Sequence, residues 1–189
     1  MKKLLSITLL TSLVLFASQA FGQDTDSDQI NAEAEVLTAI DVTEVTDLQF
    51  GILFQGQTAS LVIDGDNGSF DGSNAGQGDS EAALGEFTIS GSEGQNVTIE
   101  FGGAAVDNEA LDGQSTDATL TFSIDGDSYG RIQDADSDNG NFNPSNEYSF
   151  NLGSSETRVW LGGEVTAASD QSEETYRGEV QLTASYTDF

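Results

Sequence analysis

The chain has 189 residues, 33 of them acidic and 5 basic, with no cysteine, no histidine and a formal net charge of −28. A charge of that sign and size repels nucleic acid and anionic membrane surfaces. Lack of cysteine removes the disulfide staple, and lack of histidine removes the commonest general base and zinc ligand.

The first residues read MKKLLSITLLTSLVLFASQAFGQ. Lys2 and Lys3 precede an apolar run, Leu4 to Phe16, and then small residues. This is the pattern of a cleaved signal peptide, residues 1–22, with the cut after Gly22 or, alternatively, at Ala20-Phe21. It predicts export to the periplasm, the cell surface or the medium. The apolar run is too short to span a bilayer comfortably, and no second stretch reaches spanning length, so no membrane span is expected. Cleavage leaves three cations, Arg131, Arg158 and Arg177, against 33 acids, a formal charge of −30. Such a chain strains its own compact state unless cations screen it. A salty habitat or calcium held in acidic loops explains the charge, and the halophilic reading is the favoured one. Residues 23–189 are long enough for a single domain with its own core.

Runs of period two dominate the chain beyond residue 29. INAEAEV (30–36) and LTAIDV (37–42) open the series, then LQFGILF (48–54), ASLVI (59–63), GEFTISG (85–91) and NVTIEF (96–101). ATLTFSI (118–124), EYSFNL (147–152) and TRVWLGGEV (157–165) continue it. The last strand lies in YRGEVQLTASYTDF, where Val180, Leu182, Ala184 and Tyr186 alternate with polar residues. Asp-Gly and Asn-Gly pairs between the runs accept the positive φ of tight turns. No stretch keeps a helical period, although Ala82 to Leu84 suffices for one turn. Two connections, 64–84 and 125–147, are long, acidic and poor in apolar residues, and the second holds the single proline, Pro144. Eight to ten short strands with such turns predict an all-β fold, an antiparallel β-sandwich, with a barrel as the alternative.

The stretches DLQFG (47–51), GEFTISG (85–91) and LGGEVTAASDQSEETYRGEVQLTASY (161–186) resemble an exported bacterial β-sandwich family, domain of unknown function 4402. The outline is also similar to spore-coat-U-type and other pilin-like subunits of chaperone–usher systems. That resemblance implies an immunoglobulin-like sandwich lacking its last strand, completed by a neighbour's N-terminal extension. It gives Gly178 and Tyr186 the parts of the glycine and the aromatic in a C-terminal strand read by strand addition. The partners it implies are copies of the chain itself or a periplasmic chaperone.

Each candidate site has a bland counterpart. Ile30, Ala32, Ala34 and Val36 form either a donor strand for a neighbour or the first strand of their own sheet. Gly178, Val180, Leu182, Ala184 and Tyr186 form the second candidate interaction strand. Asp134, Asp136 and Asp138 precede Asn139 and Gly140, as in a calcium loop, but the EF-hand spacing fails: glycine falls at position seven and Ser145 at twelve. A solvated acidic loop is the reading preferred there, and calcium is the one cofactor considered. Trp160 and the tyrosines 129, 148, 176 and 186 offer either a sugar-stacking platform or core. Trp160 stands between Val159 and Leu161, so one of those two faces is expected to point outward. Glu86, Glu100, Glu164 and Glu179 sit on polar faces, and nothing marks a catalytic pair among 33 acids. The expectation is a secreted, non-enzymatic cell-surface subunit acting by edge-strand pairing, with a calcium- or carbohydrate-binding module as the alternative.

Overall fold

The computed structural model describes residues 28–187 apart from 32, 66–67, 74, 77–80, 104–109, 138 and 155. Residues 1–22 and Ala32 therefore lie outside the described residues. The chain divides into two units, 1–36 and 37–189. In the first, the described residues form no strand, and Ile30 and Val36 are exposed. The strand expected over 30–36 is thus not seen at its described residues. Glu33 and Glu35 interrupt it, and alanine at the intervening inward position offers little apolar area to bury.

In the second unit the strands are β1 (Asp41–Thr46), β2 (Thr58–Ile63), β3 (Phe70–Ser73), β4 (Gly85–Ser90), β5 (Asn96–Gly103), β6 (Ala110–Gly113) and β7 (Thr119–Ser123). They continue with β8 (Gly130–Gln133), β9 (Gly140–Phe142), β10 (Tyr148–Asn151), β11 (Thr157–Leu161), β12 (Gly163–Thr166), β13 (Tyr176–Arg177) and β14 (Val180–Tyr186). The described residues contain no helix. The fold is all-β, with three sheets in the orders β1-β4-β11-β8-β9, β10-β5-β14 and β13-β6-β7-β12-β2-β3. Every pairing is antiparallel.

Alternation explains most of these elements. Ala59, Leu61 and Ile63 of β2, Val97, Ile99 and Phe101 of β5, and Leu120 and Phe122 of β7 all turn inward and are buried. All but Leu61 and Ile63 join one core drawn from all three sheets. Aromatic rings cross that core: Phe87 meets Phe101 edge-on at 6.3 Å, and Phe142 stacks on Tyr148 at 4.6 Å.

Four departures from the sequence pattern have physical causes. TRVWLGGEV is two strands in two sheets. β11 pairs with β4 and β8, while β12 pairs with β2 and β7. Gly162 is the joint, because a Cβ there would overlap the carbonyl of Leu61. Neither face of β11 points outward over residues 159–161, since Val159, Trp160 and Leu161 are all buried, although Arg158 is exposed. Val159 and Leu161 enter the main core, and Trp160 joins Leu61, Ile63 and Leu84 in a second cluster. The backbone of Gly68 lies on the indole, where a Cβ would stand 2.8 Å from Nε1. The two long connections also carry strands, β3 in one and β8 and β9 in the other. These are short; β8 and β9 each bury one large side chain, Ile132 and Phe142, while β3 is mostly exposed and held by its pairing with β2. LQFGILF forms no regular strand, but bridges Gln49 to Ala83, while Leu48, Phe50 and Leu53 turn toward the core.

Candidate functional site: the β14 edge and the Asp134 loop

β14 reads VQLTASY. It pairs with β5 over its whole length, from Val180 opposite Gly103 to Tyr186 opposite Val97, without a register shift. Leu182 is buried, Val180, Ala184 and Tyr186 are half-buried, and Gln181, Thr183 and Ser185 are exposed. Gly103, at φ +89, permits the start of this pairing, because a Cβ there would overlap the carbonyl of Glu179. Gly178 is exposed and lies between β13 and β14, outside both strands. Among the described residues no strand pairs with the other edge of β14.

Tyr186 anchors the strand's end. Its hydroxyl donates to the Thr38 carbonyl at 2.7 Å and accepts from the Ser92 N–H at 2.7 Å. Gly91 leaves room for that hydroxyl, since a Cβ would approach it to 2.5 Å. The aromatic near the chain's end thus ties β14 to the lead-in of β1 and to the turn after β4. Alternation alone gave no sign of these partners, which lie 148 and 94 residues away in sequence.

The other edges differ in chemistry. β1 carries Asp41 and Glu44, and its register shifts between Glu44 and Thr46. Hydrogen bonding to Asp47, then the charge of Asp47, and then slight burial raise the Glu44 carboxyl above its ordinary value. Acids and a bulge are devices that guard an edge against further pairing. β3 carries Asp71, β9 and β13 are only three and two residues long, and β10 is uncharged but has four residues and is bridged to Ser137 at Asn151. β14 has seven residues with no charge, proline, glycine or bulge.

The calcium candidates behave differently. Asp134 adopts φ 63, and Asn139 clamps the turn after it, accepting from the Ala135 N–H at 3.0 Å and donating to the Ala135 carbonyl at 2.9 Å. The Asp134 carboxylate faces Arg158 Nε at 3.7 Å, both side chains half-exposed. Asp136 is exposed and donates its backbone N–H to the Asn151 carbonyl at 3.0 Å. Asp138 lies outside the described residues. Asp125 accepts from Asn143 Nδ2 at 2.7 Å, which ties the ends of its loop together. Among the described residues, no three Asp, Glu, His or Cys side chains converge as metal ligands would. An open cleft of about 510 Å³ adjoins the turn, lined by Arg131, Ile132, Gln133, Asp134, Ala135 and Asn139.

The aromatic residues do not form one platform. Trp160 is 4% exposed, Tyr148 stacks between Phe142 and Phe150, and Tyr176 donates to the Ser172 carbonyl. The Tyr129 phenol is raised above its ordinary value by burial and then by the neighbouring Glu164.

A family's sequence profile, that of "Domain of unknown function (DUF4402)", matches residues 40–186. The chain belongs to the DUF4402 family. The DUF4402 span opens one residue before β1 and closes on the last residue of β14. It therefore takes in all three sheets, the β14 edge and the Asp134 loop. No curated protein matches the chain. Among the described residues no helix is long and apolar enough to cross a membrane.

Proposed function

We propose that the protein is an exported, non-enzymatic structural subunit of the cell surface that acts by edge-strand pairing. In this reading the three sheets form an immunoglobulin-like, pilin-like sandwich, and the leader of residues 1–22 is cleaved on export. The observation that carries it is β14, a full-length edge strand without any guard, in a chain whose first strand is guarded by acids and a bulge. Partners are copies of the chain or a periplasmic chaperone, each adding a strand. The acidic surface fits a salty habitat, in which cations screen the charge.

The test is size-exclusion chromatography with light scattering on chains starting at Gln23 and at Leu37, each with and without a peptide of residues 23–38. Oligomers of the longer chain, with a monomeric shorter chain that takes up the peptide, support a subunit whose N-terminal segment works between molecules. A stable monomer from Gln23, and a shorter chain that merely unfolds, refutes it. The second reading, a calcium- or carbohydrate-binding module, draws on the cleft beside Asp134 and Asn139. It predicts a monomer whose melting temperature rises with the ligand.

A further inference from the structure

We propose that two copies of the chain join β14 to β14, antiparallel, about a two-fold axis at Thr183. This rests on the edge-pairing reading and names its partner. A strand that pairs with its own copy must be compatible with itself in reverse. Centred on Thr183, the pairing sets Leu182 against the partner's Ala184, Val180 against the partner's Tyr186, and Gln181 against the partner's Ser185. Large residues meet smaller ones on the inward face, threonine meets threonine on the axis, and no charge faces a charge. The three-stranded sheet β10-β5-β14 would become six-stranded across the axis.

Charge and length select this edge over the others: β10, the opposite edge of the same sheet, also lacks charge, but it has only four residues and is bridged to Ser137 at Asn151. Two copies with an excess of acids repel each other everywhere except where acids are missing. β14 has none, whereas self-pairing through β1 would bring Asp41 and Glu44 of both copies together. Association is therefore weak when charges are unscreened and strengthens with salt, as the Debye length falls from about 10 Å at 0.1 M to about 3 Å at 1 M.

The experiment is sedimentation velocity of the chain from Gln23 in about 0.1 M and about 1 M sodium chloride, the two screening regimes, with four variants. Thr183→Glu sets two acids against each other on the axis, beside the Glu100 that each Thr183 already faces on β5. It should raise the dimer dissociation constant about tenfold or more, as charged edges do. Thr121→Glu is the control, adding the same charge at an exposed threonine on β7, whose two edges are both paired, and it should leave the dimer intact. The chain has no cysteine. Thr183→Cys should therefore crosslink into a covalent dimer on mild oxidation, because opposed strand residues lie about 4.5–5.5 Å apart at Cα, within disulfide reach. Thr121→Cys should not crosslink. Melting curves check that every variant folds. A dimer that Thr183→Glu leaves intact, or that lacks the Thr183→Cys crosslink, overturns the inference. Polymers that ignore both substitutions overturn it and leave the subunit reading standing. A monomer at both salt concentrations overturns both.

Discussion

Tyr186→Phe removes one oxygen and two hydrogen bonds. The Thr38 carbonyl is exposed and finds water when the hydroxyl is gone. The Ser92 N–H is part-buried, and its 2.7 Å bond has no substitute within the new side chain. An orphaned, partly buried donor costs about 1–3 kcal/mol. For a domain of this size each kcal/mol lowers the midpoint by about 2–4 °C, so Tm should fall by about 2–12 °C. Urea unfolding followed by tryptophan fluorescence gives the free energy directly. An unchanged m-value would show that the loss lies in stability and not in the extent of the unfolded surface. Hydrogen exchange at the Ser92 amide should speed up as well, because its acceptor is gone. A variant within about 0.3 kcal/mol of the parent, an order below the cost of an orphaned donor, would refute the reading of Tyr186 as the anchor of β14.

Gly162→Ala should destabilise by about 1–3 kcal/mol from crowding against the Leu61 carbonyl. Gly102→Ala, where a Cβ meets nothing within 4 Å, should be neutral or slightly stabilising in the same denaturant titration. Phe150→Ala, at a fully buried site, should cost about 3–5 kcal/mol. Glu174 accepts from the Ser115 and Thr116 N–H groups and from the Thr116 hydroxyl. The Thr116 hydroxyl first, and the Ser115 N–H second, hold its carboxyl below the ordinary 4.5. A carboxyl depressed in the fold stabilises above its unfolded value and loses that contribution as pH falls through the folded one. Glu174→Gln should therefore lower Tm at pH 7, and the gap to the parent should close in acid; a gap constant with pH would contradict this. Sodium chloride should raise Tm, and a chelator at constant ionic strength should leave it unchanged. A chelator-sensitive Tm would instead favour the calcium reading.

Much of the strand content could be read directly from the sequence. Alternation at 59–63, 85–91, 96–101, 118–124, 147–152 and 180–186 marks strands that bury one face, and β2, β4, β5, β7, β10 and β14 lie there. Pattern carried less where a strand is not half-buried. β3, β6, β8 and β9 have only three or four residues each, too few for a period to stand out from the surrounding loop sequence. β11 shows three consecutive buried residues because it is covered on both faces. The candidate site divided in the same way. The strand character of β14 was legible, because its side chains repeat every two residues. Asp134 and Asp136 could be picked out as acids, but not the Arg158 that faces Asp134 from another strand.

The sequence by itself determined composition, charge, the all-β class and the alternating face of β14, since these depend on residue type and near-neighbour spacing. Tertiary structure decided which edges are paired, that Gly162 carries the chain from one sheet to another, and that the Tyr186 hydroxyl holds the lead-in of β1. Those outcomes depend on contacts between residues far apart in the chain, whose partners are chosen by burial and by the geometry of the sheets. A local repeat records which face of a strand is apolar, but not which strand lies beside it.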